Sequence, residues 1–114
     1  MQDWKTLENK SQLEDVKSHS VNKPIIIFKH STSCSISSMA LNRLERAWNA
    51  DEMAATDFYY LDLLANRDIS NAITNEFGVA HQSPQVLVIK NGACVYDDSH
   101  MGISYTDIKE QVLA

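Results

Sequence analysis

The segment 25–28, with the sequence Ile-Ile-Ile-Phe, constrains the fold of this chain more than any other feature. A strand with one solvated face alternates apolar and polar residues, whereas a strand covered on both faces reads as a continuous apolar run. The segment therefore predicts a central strand over 25–30 in a sheet with helices on both faces. With 114 residues, of which 44% are hydrophobic, the chain is long enough for one such domain over 1–114.

Helical and strand patterns alternate along the rest of the chain. The apolar spacing predicts helices over 6–18, 34–49, 68–77 and from 104 or 106 to 112, and further strands over 58–63, 86–89 and 93–97. Asn91-Gly92 is typical of a two-residue hairpin turn, so the last two strands should be antiparallel. The first two strands are joined by a helix and should be parallel. The sequence therefore predicts an α/β fold with a four-stranded mixed sheet flanked by helices on both faces.

Residue types at the helix ends indicate where these helices begin and end. Thr6 or Ser11 is a candidate N-cap for the first helix, and Asp68 for the third, because short polar side chains accept hydrogen bonds from free N–H groups. Gly78 is placed to end the third helix, since glycine readily adopts the left-handed conformation. The apolar stripe of the second helix consists of Ile36, Ala40, Leu44, Ala47 and Trp48.

Charge and composition exclude several classes of partner. The net charge of −5, with no basic cluster, argues against nucleic-acid binding. The apolar runs are too short to span a bilayer and we see no signal peptide, so we expect a cytoplasmic protein without a membrane partner. Two cysteines are too few for a disulfide framework or a four-thiolate metal site, and the four histidines lack the spacing of a zinc site. We therefore predict no metal.

Cys34 follows the central strand at the point where the second helix should begin. Free N–H groups and the helix dipole at such a position favour the thiolate, which is the reactive form of cysteine. Lys29 and His30 are close in sequence and could add positive charge, but adjacent strand residues point to opposite faces, so both should not help equally. For His30, a purely structural polar role is an equal alternative. We predict that Cys34 is a nucleophile with Lys29 and His30 as supporting groups.

Ser37 occupies the position at which a Cys-x-x-Cys pair would have its second thiol. It lies three residues after Cys34 on the same helix face, so its hydroxyl could donate a hydrogen bond to the thiolate. The alternative is an exposed serine in the first helical turn without such a role. Because a serine cannot resolve a disulfide, the sequence predicts a site with a single thiol.

Two stretches carry a resemblance to a known family. Residues 30–37 read His-Ser-Thr-Ser-Cys-Ser-Ile-Ser, and residues 77–86 read Phe-Gly-Val-Ala-His-Gln-Ser-Pro-Gln-Val. With the element order, they resemble the thioredoxin fold and, more closely, the monothiol bacilliredoxin family, the bacillithiol-system redox proteins of the YtxJ type. The resemblance covers nearly the whole chain. It implies that the bond before Pro84 is cis and that this proline faces Cys34.

The same resemblance implies where a substrate would bind. Ser33, Ser35, Ser83 and Pro84 are the expected contacts, and the backbone of Ser83 would be free to pair with an extended substrate segment. Ser35 departs from the family, which often has proline directly after the cysteine. Proline at the first helical position pre-sets the helical φ. We therefore expect the serine to loosen the first turn while it leaves the nucleophile in place.

The implied function is that of a thiol–disulfide oxidoreductase which removes bacillithiol, or a similar small thiol, from S-thiolated proteins. It would need no tightly bound cofactor, with bacillithiol as the thiol co-substrate, and would serve redox homeostasis and the stress response. Three alternatives stay open. They are a glutaredoxin-like exchange protein that uses another small thiol, a glutaredoxin-like carrier of an iron–sulfur cluster bridged by two chains, and a non-catalytic binding module with an incidental cysteine.

Cys94 is the only other thiol, and its place in the hairpin argues against pairing with Cys34. It follows the Asn91-Gly92 turn by two residues and should lie opposite Ile89. At about 3.3 Å per residue, it then lies on the order of 16 Å from Pro84. A disulfide requires Cα atoms within about 7 Å of each other. We therefore predict that Cys34 and Cys94 do not bond.

Overall fold

The computed structural model describes residues 4–114, and its elements follow the alternation that the sequence predicts, with one additional strand. The elements are β1 (Lys5–Thr6), α1 (Lys10–His19), β2 (Ile25–His30), α2 (Ser35–Ala47), β3 (Asp57–Asp62), α3 (Arg67–Phe77), β4 (Gln85–Lys90), β5 (Ala93–Ser99) and α4 (Tyr105–Leu113). One turn of 3₁₀ helix, His100–Gly102, lies between β5 and α4. Within residues 4–114, no helix is both long and apolar enough to cross a membrane.

The strands form one mixed sheet in the order β1-β3-β2-β4-β5. All six residues of the central strand β2 are buried, as the apolar run predicts. β3 runs parallel to β2, whereas β4 is antiparallel to β2 and β5 is antiparallel to β4. The sheet has five strands rather than four, because β1 pairs with Tyr59 and Tyr60 at one edge. A two-residue strand has no periodicity that a sequence could show.

The first helix begins four residues later than expected. α1 starts at Lys10 because the preceding residues form β1 and a turn. Its N-cap is Asn9, whose side chain accepts a hydrogen bond from the N–H of Gln12 at 3.0 Å. Neither Thr6 nor Ser11 is the cap, so both of those predictions are wrong.

The third helix begins one residue earlier than expected and ends where the sequence places its end. α3 starts at Arg67 after the N-cap Asn66, so Asp68 lies in the first turn and is not the cap. Gly78 follows the last helical residue with a φ of 68°, as predicted. A side chain at that φ is strained, which is why glycine is favoured there.

Each face of the sheet carries its own hydrophobic core, because successive residues of β2 point in opposite directions. Ile26 and Phe28 pack on the side of α2 and α4, and Ile25 and Ile27 pack on the side of α1 and α3. Burying a side chain of this size contributes about 1.5–3 kcal/mol to folding. The alternation continues to the carboxyl end of β2. The last two residues of the strand therefore point to different faces, next to the loop that leads to Cys34.

Candidate active site

Cys34 is the N-cap residue of α2, with extended backbone angles of φ −108° and ψ 119°. Its N–H donates to the carbonyl oxygen of Ser31 at 3.1 Å, and its own carbonyl accepts from the N–H of Ser38 at 3.1 Å. The thiol is free and partly exposed. A helix of this length presents unpaired N–H groups and the positive end of its dipole at this position. The backbone therefore holds the sulfur at the N-terminus of α2, with part of its surface exposed.

Ser37 is fully buried, so the alternative of an exposed first-turn serine is wrong. Its Oγ accepts a hydrogen bond from the N–H of Ser31 at 3.1 Å and shares a second one with Nδ1 of His30 at 2.7 Å. The hydroxyl thus ties the end of β2 and the start of the loop to the first turn of α2. Ser37 acts on Cys34 through the loop that carries it, since Ser31 also accepts from the Cys34 N–H.

The tautomer of His30 decides whether Ser37 can also reach the sulfur with its proton. If Nδ1 is the acceptor, the hydroxyl proton is used in that bond and is not free for Cys34. If Nδ1 carries the hydrogen, Oγ accepts twice and its proton is free. In either case, the structure shows no hydrogen bond between Ser37 Oγ and the Cys34 sulfur within residues 4–114, so the predicted direct donation is not observed.

His30 is buried on the α2 face, where its ring centroid lies 6.4 Å from that of Phe28 and 5.6 Å from that of Tyr60. Burial lowers the pKa of His30, and the charge of Asp62 opposes this only in part. The imidazole is therefore neutral at physiological pH. It supports the site by fixing Ser37, which is the structural polar role, and does not supply positive charge to Cys34.

Lys29 is fully buried on the opposite face, towards α3. Its nearest polar partner is Nδ1 of His81, at 3.5 Å from Nζ. Burial lowers the pKa of Lys29 from 10.5 to about 8. The two supporting groups predicted from the sequence thus lie on different faces of the sheet. His81 and Arg67, which the sequence did not single out as functional, lie on the Lys29 side.

Of the predicted apolar stripe of α2, Ala40 and Leu44 are buried and Trp48 packs against the core, whereas Ile36 and Ala47 are exposed. Ile36 is 43% exposed, and the buried positions of the helix are Ser37, Ala40, Leu41 and Leu44. The hydroxyl of Ser37 has two buried partners, which offset the cost of burying it. Ile36 and Met39, which is 56% exposed, are left on the surface that follows Cys34. Two exposed apolar side chains therefore lie on α2 within five residues of Cys34.

The bond between Ser83 and Pro84 is cis, as the resemblance implies. Lys29 lies opposite Gln85 in the ladder between β2 and β4, so Pro84 lies beside the end of β2 from which the cysteine loop departs. Ser83 makes no backbone–backbone hydrogen bond within the described residues. Its backbone groups are free to pair with an extended segment, which is the contact expected of a substrate strand.

Two serines flank Cys34 with exposed side chains. Ser33 precedes it, and its Oγ lies 3.4 Å from the Oγ of Ser31. Ser35 follows it as the first residue of α2. Both have the exposure that substrate contact requires, and neither is buried in the fold.

Cys94 lies opposite Ile89 at the far end of the hairpin, as predicted. It is half-buried, its Sγ donates to the carbonyl of Tyr96 at 3.2 Å, and burial raises the pKa of its thiol. The structure contains no disulfide between the two cysteines. Within residues 4–114, no three His, Cys, Asp or Glu side chains group as metal ligands. The site therefore presents one reactive thiol.

Comparison with known proteins supports this description. A family model described as monothiol bacilliredoxin matches residues 5–108. A solved structure described as a candidate oxidoreductase with a thioredoxin fold is 30% identical, covers 96% of this chain and 93% of that one, and has a TM-score of 0.81. Thioredoxin from Malassezia sympodialis has 15% identity, coverages of 97% and 89%, and a TM-score of 0.75. Thioredoxin from Fasciola hepatica has 18% identity, coverages of 96% and 96%, and a TM-score of 0.72. The last two show the fold alone.

Proposed function

Because the chain belongs to the monothiol bacilliredoxin family, we propose that it removes bacillithiol, or a similar small thiol, from S-thiolated proteins by a single-thiol mechanism. The thioredoxin fold and the family establish a thiol redox role at the coarser level. The observation that supports the finer proposal is the environment of Cys34. It is a partly exposed thiol at a helix N-terminus, and a buried serine stands where a resolving thiol would be.

The first step is attack by the Cys34 thiolate on the bacillithiol sulfur of the mixed disulfide. A new disulfide forms between Cys34 and bacillithiol, and the original one breaks. The protein thiolate leaves with the electron pair and is protonated by solvent. No net oxidation occurs, because one disulfide replaces another.

The second step restores the enzyme and needs a further thiol. Cys94 lies at the opposite end of the sheet and Ser37 has no sulfur, so the chain has no resolving thiol of its own. A second bacillithiol thiolate attacks the bacillithiol sulfur on Cys34, which releases the Cys34 thiolate and forms bacillithiol disulfide. The proposal places this cycle in the cytoplasm, where free small thiols are abundant.

The surrounding residues position the two partners. The N-terminus of α2 holds Cys34 in place for both steps. Ser83 offers free backbone groups to a substrate strand, and Ile36 and Met39 offer apolar surface beside the sulfur. Catalysis in this proposal comes from access, orientation and the thiolate itself, without a bound metal or cofactor.

Intact mass measurement of a transfer reaction tests the proposal. The reduced protein is mixed with a bacillithiol-modified model protein, and the expected result is a bacillithiol adduct on Cys34 together with loss of the modification from the substrate. Cys34→Ser should form no adduct, whereas the matched control Cys94→Ser should transfer as the wild type does. Absence of transfer over hours, with a Cys34 thiol shown to be reduced and accessible to a small alkylating agent, would overturn it.

A further inference from the structure

Lys29 is a fully buried cation for which the structure contains no anionic partner among the described residues. The ion pairs within residues 4–114 involve Lys5, Lys17, Lys23 and Lys109, and none includes Lys29. Among residues 4–114, its one polar side-chain contact is with His81 Nδ1 at 3.5 Å. With a pKa of about 8, the amine is still mainly an ammonium at pH 7. A buried ammonium without a counter-charge is costly to a fold, and the lowered pKa of Lys29 reflects that cost.

His81 connects this ammonium to a surface pocket. The pocket, called the α3 pocket below, is lined by Leu63, Arg67, Ser70, Asn71 and His81. An ammonium can only donate, so Nδ1 of His81 must accept, and the neutral ring then carries its hydrogen on Nε2. Ser70 Oγ lies 3.3 Å from the same Nδ1. The ring therefore presents an N–H donor on the side away from Lys29.

The charge around the α3 pocket is positive. Burial lowers the pKa of His81, and the nearby charges of Lys29 and Arg67 lower it further. Two cations thus lie close enough to His81 to repel its protonated form. On the Lys29 side, Nε2 of Gln85 donates to the carbonyl of Ala80 at 3.0 Å, whereas its buried Oε1 has no hydrogen-bond partner within the described residues.

The N-terminus of α3 adds to this field. Asn66 occupies the N-cap, but its side chain makes no capping hydrogen bond and its Nδ2 donates to the carbonyl of Asp62 at 3.2 Å. The first-turn N–H groups therefore lack a side-chain acceptor at the cap. Of the nearby carboxylates, Asp62 accepts from the N–H of Leu64 at 3.2 Å, and Asp68 is exposed in the first turn of the helix.

The α3 pocket is close to the reactive thiol. Its wall residue Leu63 donates its N–H to the carbonyl of His30 at 2.9 Å, and Ser31, the next residue, accepts from the N–H of Cys34 at 3.1 Å. The backbone of Leu63 and that of Cys34 are therefore separated by on the order of 10 Å. One small molecule bonded to the sulfur could place its far end in the pocket.

We propose that the α3 pocket binds a carboxylate of the small thiol that exchanges with Cys34. Arg67, the Nε2–H of His81 and the first N–H groups of α3 would contact the carboxylate, and the ammonium of Lys29 would supply charge from behind His81. The inference rests on the proposed function and assigns its thiol specificity. It predicts that acidic small thiols react faster with Cys34 than neutral ones.

A binding experiment without thiol chemistry tests the pocket directly. Succinate is titrated into ¹⁵N-labelled protein and backbone amide shifts are followed. We expect saturating shifts centred on residues 67–70 and His81 in the wild type, and loss of saturation in Arg67→Gln. Arg46→Gln, the same change at an exposed position in the last turn of α2, should behave as the wild type. Shifts without saturation, or equal shifts in both variants, would overturn the site.

A kinetic experiment separates the site from the function. The reduced protein is mixed with the symmetric disulfide of mercaptosuccinate or with that of 1-thioglycerol, and intact mass follows formation of the mixed disulfide on Cys34, with rates corrected for the pKa of each leaving thiol. We expect the ratio of the mercaptosuccinate rate to the 1-thioglycerol rate to be about 5–10-fold higher in the wild type than in Arg67→Gln and Lys29→Met, which corresponds to a coupling free energy of about 1.0–1.4 kcal/mol. An equal ratio in all variants contradicts the pocket. A Cys34 thiol that reacts with neither disulfide contradicts the proposed function instead.

Discussion

The adjacent residues His30 and Lys29 of β2 lie on opposite faces of the sheet and differ in how their polar groups are paired. On the α2 face, His30 is neutral and its polar neighbours are paired, with Ser37 Oγ at 2.7 Å from its Nδ1. On the α3 face, the part of the chain that the structure describes gives Lys29 one polar side-chain contact, with His81 at 3.5 Å, and no carboxylate partner. A closed hydrogen-bond network holds a loop in one conformation, whereas an unpaired cationic cluster has capacity for a ligand. The first face therefore builds the nucleophile, and the second is suited to select its partner.

The largest expected effect is on the α2 face, at the nucleophile. Cys34→Ser should reduce disulfide exchange to the rate observed without protein, because a hydroxyl is not ionised near neutral pH and cannot attack the disulfide. Release of a small thiol from a thiolated model protein is the measurement. Full activity of Cys34→Ser would assign the chemistry elsewhere and would remove the distinction between the two faces.

Ser37→Ala should open the closed network and lower stability. The N–H of Ser31 and Nδ1 of His30 would lose their shared partner inside the protein, which costs about 1–3 kcal/mol. Urea unfolding measures the difference, and the exposed Ser35→Ala is the matched control. A Ser37→Ala protein as stable as the control would show that the loop does not depend on this network.

On the α3 face, Lys29→Met should show the cost of burying the Lys29 ammonium through the pH dependence of the free energy of unfolding. Below pH 8, Lys29 is charged in both the folded and the unfolded state, so the wild type bears the full cost of burial. Between its folded pKa of about 8 and the ordinary value of 10.5, the unfolded state binds more protons, and wild-type stability rises with pH relative to the variant.

The variant should therefore exceed the wild type by about 1–3 kcal/mol at pH 7, with a gap that shrinks towards pH 10.5. Urea unfolding of both proteins at several pH values measures the gap. The tyrosines and the Cys94 thiol also have raised pKa values, but both proteins contain these groups, so their contribution to stability cancels in the difference. A gap that stays constant with pH would mean that the ammonium of Lys29 is not buried in solution.

Ser35→Pro should have the smallest effect. Cys34 already has the extended angles that suit a residue before proline, and the N–H of Ser35 at the first helical position needs no intrahelical partner. We expect stability to rise by about 0.4–1 kcal/mol through a less flexible unfolded chain, with Cys34 reactivity little changed. Thermal unfolding and the alkylation rate of Cys34 are the measurements. Lower stability would mean that α2 begins with a different backbone conformation.

Sequence-based reasoning succeeded for local features and for features that the family carries. The apolar run predicted the central strand, Asn91-Gly92 predicted the hairpin that places Cys94 opposite Ile89, and Gly78 predicted the end of α3. It was wrong about Ile36, because residue type alone favours isoleucine over the neighbouring Ser37 for the buried face of α2. Ser37 is buried instead, because its hydroxyl forms hydrogen bonds with the backbone of Ser31 and the side chain of His30.

The sequence by itself determined the α/β class, the position of Cys34 at a helix start and the presence of a serine at position 37, because each depends on residue type and on near neighbours in the chain. Only the tertiary structure decided which way Lys29 and His30 point and what they meet. Lys29, Arg67 and His81 come from three separate segments, and no spacing along the chain encodes their approach. Electrostatic interactions depend on distance in space, so the positive charge near His81 on the α3 face could be recognised only in the folded structure.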